Sequence, residues 1–290
     1  MSWRTVVITE RCKLDLKMGY LVVRGQEIRR IFLDEIAILL IEDPAVAMTG
    51  NLLAALTEKK VRVIFCDVRH SPAAELVPCY GSHDSSQKIM EQIGWTAEMK
   101  AAAWACIIED KLRKQAEHLE ERGHPQEAEL IRSYIPQIEA GDVTNREGHA
   151  AKVYFNALFG KAFVRSSENA YNAALNYGYG IVLSAFNRAV SANGYLTQLG
   201  LHHKNPFNQF NLSSDIMEPF RILVDRRVFE MAPTEFASEQ KHALVRLLED
   251  QVIVEENRQT VLNAIDIYTR SVFRAMAEKD LSLMKTYVRK

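Results

Sequence analysis

Three short segments carry residue types that could share one metal ion. The first, Asn145-Arg146-Glu147-Gly148-His149-Ala150-Ala151-Lys152-Val153-Tyr154-Phe155, opens a helical pattern in which Ala151, Tyr154 and Leu158 follow Glu147 on one face. An acid in a first helical turn also serves the helix dipole, so Glu147 reads as a capping charge too. The second, Leu199-Gly200-Leu201-His202-His203-Lys204-Asn205, sets two histidines in a loop. It can offer one imidazole to a metal or leave both as polar loop residues. The third is Ser214-Asp215-Ile216-Met217-Glu218-Pro219-Phe220-Arg221. On one helix Asp215 and Glu218 would share a face, and neighbouring carboxylates gain from a cation between them. The same spacing fits a capping box, with Asp215 at the helix start and Glu218 reaching back. Pro219 marks a first turn or a kink.

Two glutamates and one histidine make a mixed oxygen and nitrogen ligand set. Such a set suits Mg²⁺ or Mn²⁺ better than a structural zinc site. An ion of this kind stabilises charge on a phosphoryl oxygen and activates an attacking oxygen. Between Val143 and Arg188 stand five basic residues (Arg146, Lys152, Lys161, Arg165, Arg188) and two acids (Glu147, Glu168), a local charge of +3. In a regular helix Arg165 returns to the face of Glu147 about 27 Å along the axis, with Lys161 close to that face. Arg146, Lys161, Arg165, Lys204 and Arg221 are therefore candidate contacts to a phosphate backbone. The alternative is solvated surface charge.

The elements that must position these residues divide the chain in two. With 290 residues, 48% of them apolar and 25% charged, the chain can bury a full core, which excludes a disordered or fibrous protein. A net charge of −1 excludes a globally basic nucleic-acid binder but not a local basic face. The apolar run Ile36–Ile41 is far shorter than the roughly 20 residues that span a bilayer. The start, Met1-Ser2-Trp3-Arg4-Thr5, lacks the shape of a signal peptide, so a cytoplasmic protein without membrane contact is expected. Cys12, Cys66, Cys79 and Cys106 are scattered, which argues for reduced thiols.

Arg4–Thr9, Tyr20–Arg24, Ile28–Leu33, Ile36–Ile41 and Val61–Cys66 read as strands. Asp43 suits a helix N-cap with Pro44 at the first helical position, predicting one helix up to Lys59-Lys60. Turn residues from Arg69 to Trp95 predict a linker and a domain boundary near residue 85. Beyond it helices are predicted over Thr96–Arg122, Pro125–Tyr134, Arg146–Val164, Ala170–Ala192, Asp215–Met231, Glu235–Glu249 and Arg258–Arg274. The expected class is α+β, with a small β-rich domain over 1–85 and a larger all-helical domain over 86–290.

Those three segments, in this order and on this layout, resemble the CRISPR-associated spacer-acquisition integrase family, in the compact form of type II systems. Glu147-Gly148-His149-Ala150-Ala151-Lys152-Val153-Tyr154-Phe155 resembles the family's glutamate motif, Leu199-Gly200-Leu201-His202-His203 its histidine loop, and Asp215-Ile216-Met217-Glu218-Pro219-Phe220-Arg221 its second acidic motif. The resemblance implies a metal-binding, catalytic triad of Glu147, His203 and Glu218. His202 stays open as an alternative, and Asp215 is a further acid near the metal. It implies a Mg²⁺- or Mn²⁺-dependent DNA integrase that joins 3′-hydroxyl ends of a captured double-stranded fragment to a repeat array, with endonuclease activity as well. It implies a homodimer formed through the strand domain and a small ferredoxin-like adaptation partner. The type II effector nuclease and a ring-forming accessory protein are further candidate partners. Two alternatives stand beside it: a structure-specific metal-dependent nuclease that uses the same three residues without integration, and a DNA-binding scaffold without catalysis that depends on neither the metal nor His203.

Overall fold

A computed structural model describes residues 4–68, 70, 72–76 and 84–289. Cys79 and the turn signals at Ser71, Pro78 and Gly81-Ser82 lie outside the described residues. Cys12, Cys66 and Cys106 are free thiols.

The first part of the chain forms two sheets. Strands β1 (Arg4–Ile8), β5 (Ile36–Ile41), β7 (Arg62–Cys66) and β8 (Pro72–Leu76) make one, in that order, with β8 antiparallel to β7 and the rest parallel. Strands β4 (Ile28–Phe32), β3 (Tyr20–Arg24), β2 (Lys13–Lys17) and β6 (Ala47–Met48) make the other. Helix α1 (Gly50–Glu58) is the crossover that lets β5 and β7 run parallel. Every residue of β5 is buried, as befits a strand covered on both faces. Ile36, Leu39 and Ile41 face one core with Leu14, Leu21 and Leu52. Ile38 and Leu40 face the other, among the helices.

Several expectations give way here. Asp43 and Pro44 do not start a helix. The Asp43 carboxylate accepts the Ala45 N–H at 2.7 Å and closes a turn, and β6 follows. Helix α1 begins later, capped by the Thr49 hydroxyl. The 69–95 segment is more than a linker: it contributes β8 and then α2 (Ser85–Ile93). Glu75 on β8 pairs with Arg62 and accepts the Ser184 hydroxyl, tying the sheet to the helices.

The helical part comprises α3 (Ala97–Glu121), α4 (Pro125–Tyr134), α5 (Arg146–Phe159), α6 (Ala170–Ala192), α7 (Asn211–Ile216), α8 (Arg221–Met231), α9 (Ser238–Arg246) and α10 (Val261–Glu278). It is not wholly helical. Strands β9 (Gln251–Val254) and β10 (Asn257–Thr260) form a hairpin before α10, where the sequence predicts helix from Arg258. Helix α5 stops at Phe159 rather than Val164, because Gly160 takes a φ of 91° that ends the helical path. No helix among the described residues is long and apolar enough to cross a membrane.

Candidate metal and phosphoryl-transfer site

Glu147 stands in the first turn of α5, but other residues cap that helix. The Asp142 carboxylate accepts the N–H groups of Arg146 and Glu147, each at 2.9 Å, and the Asn145 side chain accepts that of Gly148. The Glu147 side chain is therefore free to reach across to α3. There Lys111 Nζ lies 2.5 Å from Glu147 Oε1 and 2.6 Å from Glu218 Oε2. One ammonium thus joins two carboxylates that are 71 residues apart in the chain.

The end of α7 at Ile216 separates the two acids of the third segment. Residues Glu218–Phe220 form a 3-10 turn between α7 and α8, so Asp215 and Glu218 diverge instead of sharing a helical face. Neither belongs to a capping box. Asp215, wholly buried, accepts the backbone N–H groups of Leu201 at 2.6 Å, His202 at 2.9 Å and His203 at 3.2 Å, and it also binds His203 Nδ1. A side chain at Gly200 would collide with this arrangement, its Cβ falling 2.5 Å from the His203 carbonyl and 2.7 Å from Asp215 Oδ2. The glycine is needed for the loop to wrap a carboxylate so closely.

The two histidines take different roles. His202 stacks flat on Trp104 of α3, with centroids 4.3 Å apart and rings within 5° of parallel, and burial lowers its pKa. His203 packs edge-on against the same indole. The hydrogen bond to Asp215 holds the pKa of His203 above its ordinary value, with Glu218 and Glu147 adding to the effect. With Nδ1 engaged by a carboxylate, His203 presents Nε2, the arrangement that orients metal-ligating histidines.

Glu218 is 6% exposed. Burial alone would raise its pKa, but Arg221 and Lys111 outweigh burial and hold it down at about 2. Arg221 Nε donates to Glu218 Oε1 at 2.8 Å while its guanidinium lies over Tyr179 at 4.7 Å. For Lys111, burial opposes the charge, yet Glu218 and then Glu147 keep its pKa above the usual value. Two carboxylates and an oriented imidazole fit a hard divalent cation. Among the described residues, however, no three His, Cys, Asp or Glu side chains converge into a metal cage. The Lys111 ammonium lies between the two glutamates instead.

Of the basic residues singled out in the sequence, Lys161 and Lys204 are exposed. Arg146 lies over the Tyr134 ring at 5.7 Å. Arg165 does not ride on α5, which ends before it. It binds the Asn172 and Asn176 side chains and stacks on Phe155 and Tyr179, pinning the loop that follows the helix. Arg221 is spent on Glu218 rather than offered to solvent. Lys111, Trp104 and Asp142 went unread in the sequence. The first had a signal: Lys111 falls in the apolar stripe of Ile107, Ile108 and Leu112, with no acid three or four residues away on its own helix.

Behind the site, Asp225 is 1% exposed and accepts the Tyr179 hydroxyl. Burial pushes its carboxyl up to about 6 from 3.8. A folded-state pKa raised above the unfolded one means that ionisation favours unfolding. The stability from this group is complete below pH 3.8 and is lost as pH rises through about 6. At about 1.4 kcal/mol per pH unit, Asp225→Asn is expected to gain about 3 kcal/mol on the wild type between pH 3.5 and pH 7. Denaturant unfolding of both proteins at the two pH values measures this, and parallel changes would contradict it.

The sequence model described as "CRISPR associated protein Cas1" matches residues 5–266. The chain is 32% identical to the CRISPR-associated endonuclease Cas1 of Neisseria meningitidis serogroup C (strain 8013), covering 98% of this chain and 96% of the relative. A chain of a Cas6-RT-Cas1–Cas2 complex superposes with a TM-score of 0.75 and 16% identity, over 97% of this chain and 36% of that longer one. A casposase bound to integration product superposes with a TM-score of 0.76 and 16% identity, over 97% of this chain and 93% of that one. At such identities the superpositions establish the shared fold.

Proposed function

The chain belongs to the Cas1 family of CRISPR-associated proteins, and from that premise we propose that it is a divalent-metal-dependent DNA integrase. It inserts short captured DNA into a CRISPR array, and it has endonuclease activity at the same site. The observation that carries the reading is the meeting of Glu147 and Glu218 around one buried cation, beside an imidazole held by Asp215. The endonuclease named in the Neisseria relative and the integration product named with the casposase support the two activities.

In the proposed reaction a donor 3′-hydroxyl attacks a phosphorus in the repeat and gives its proton to water, while the bond from that phosphorus to the target 3′-oxygen breaks and the leaving oxygen takes up a proton from water to become a 3′-hydroxyl. Glu147, His203 and Glu218 would hold Mg²⁺ or Mn²⁺. When bound, the ion supplies positive charge to the phosphoryl oxygens and to the attacking oxygen. The protein residues position. Asp215 fixes the histidine loop through three backbone N–H groups and fixes the His203 ring through Nδ1. Arg221 holds Glu218 from the side away from Lys111. Exposed Lys161 and Lys204, with Arg146, are the proposed backbone contacts, reading charge rather than sequence.

The proposed partners are double-stranded DNA, a second copy of this chain and a small ferredoxin-like adaptation protein, working in the cytoplasm. The effector nuclease and ring-forming accessory protein of type II systems would join them. Pairing through the strand domain is supported by exposed apolar residues on β3, β4 and the β2–β3 turn: Met18 of the turn at 87%, Ile28 at 63%, and Tyr20 beside Phe32.

A labelled duplex with free 3′-hydroxyl ends, incubated with a repeat-containing target and Mg²⁺ or Mn²⁺, tests the reading. Integration yields a labelled strand covalently longer than the donor on a denaturing gel. Fragments alone would favour the nuclease, and a reaction indifferent to chelation would remove the metal from the account.

A further inference from the structure

We propose that Lys111 is the built-in counter-cation of the metal-free site, and that a divalent ion must displace its ammonium from between Glu147 and Glu218 in order to bind. This rests on the reading of those glutamates as metal ligands and adds a positioning residue that the three motifs do not contain.

Lys111 is 5% exposed. Its neighbours one turn away on α3 are Ile107, Ile108, Lys114 and Gln115, so its own helix provides no counter-charge. A buried ammonium needs anionic partners, and Lys111 finds them on α5 and at the start of the 3-10 turn, at 2.5 and 2.6 Å. The requirement is mutual. Without a cation, two carboxylates would face each other in a site where Glu218 is buried, and like charges there repel strongly.

The same geometry obstructs a metal. Both oxygens of Glu218 are engaged, Oε1 by Arg221 and Oε2 by Lys111. Arg221 is also held by its stack on Tyr179, whereas Lys111 reaches the carboxylates on a flexible four-carbon stem. A dication at ligand distance from Glu218 Oε2 would lie within a few ångströms of the ammonium, poorly screened by water. One of the two cations has to leave, and the lysine is the one free to swing. Lys111 therefore keeps the carboxylates together before the metal arrives, at the cost of metal affinity.

Lys111→Met removes the charge and keeps the length of the side chain. Mn²⁺ titration followed by electron paramagnetic resonance is expected to show at least tenfold tighter binding than wild type. The metal-free variant should melt below the wild type, and Mn²⁺ should raise its melting temperature by more. Lys111→Arg, which keeps the charge, should not gain affinity. General damage to the site would weaken Mn²⁺ binding, so equal or weaker binding by folded Lys111→Met overturns the proposal. A second measurement needs no variant: crystals of wild-type protein soaked in Mn²⁺ should show anomalous signal at Glu147 and Glu218, with Lys111 Nζ beyond hydrogen-bond reach of Glu218. Mn²⁺ bound there with Lys111 still bridging both glutamates overturns the displacement alone. Absence of Mn²⁺ from the glutamates at saturation overturns the metal reading, and the displacement falls with it.

Discussion

Glu147→Gln is expected to cut the joining of donor ends to a repeat by at least about a hundredfold, while the melting temperature falls by only about 2 °C. The two effects separate because of where the residue sits. The Glu147 side chain is 33% exposed and shares its cation with Glu218, so Lys111 keeps a partner after the substitution. Gln also keeps an oxygen that can accept from the Lys111 ammonium, so the loss of this one charge is expected to cost about 1 kcal/mol. Helix α5 keeps its caps, since Asp142 and Asn145 hold its first N–H groups. The proposed ion, in contrast, loses one of two carboxylates. Glu218→Ala is the poorer diagnostic, because it strips Lys111 and Arg221 of a buried partner and is expected to cost about 3–5 kcal/mol of stability. Strand-joining assays beside thermal melts decide the matter. Wild-type joining by Glu147→Gln would end the metal-site account.

Legibility in the sequence followed the range of the interaction. The run Ile36–Ile41 announces a strand buried on both faces, and Asn193-Gly194 announces the end of α6, because local chemistry decides both. The turn of the β9–β10 hairpin was illegible for an equally local reason. Glu255 and Glu256 both adopt positive φ, 48° and 67°, where a hairpin turn ordinarily signals itself by Asn-Gly. Lys13–Lys17 did alternate polar and apolar residues in strand fashion, and pairs as β2. At the site the motifs bring out Glu147, His203 and Glu218, but spacing says nothing of what lies between them. Lys111 can be identified as a misplaced charge on an apolar face, yet its partners are 36 and 107 residues away. Nor could spacing reveal that Asp215 would reach the histidine loop while Glu218 reaches α3.

That division of labour makes Asp215 the second residue whose loss should be large. Asp215→Ala leaves the N–H groups of Leu201, His202 and His203, and the Nδ1 of His203, without their shared acceptor. Hydrogen bonds to a charged acceptor contribute about 1.5–3 kcal/mol each, and since they act as one unit a total loss of about 4 kcal/mol is expected. A freed His203 ring would no longer present Nε2 in one direction, and loss of an orienting carboxylate behind a ligating histidine typically costs about 10- to 100-fold in affinity or activity. Asp215→Asn separates the two consequences. Its oxygen can still accept from part of the loop, while its amide group faces donors and repels them, so it should recover part of the stability and little of the joining. Asp215 Oδ2 lies close against Gly200, where an added Cβ would come within 2.7 Å of it, so the longer Glu is expected to displace the loop and Asp215→Glu to rescue neither property. Melting and strand joining of the three variants, measured where each is folded, test the assignment. Retention of wild-type stability and joining by Asp215→Ala would show that the loop holds His203 in place without the carboxylate.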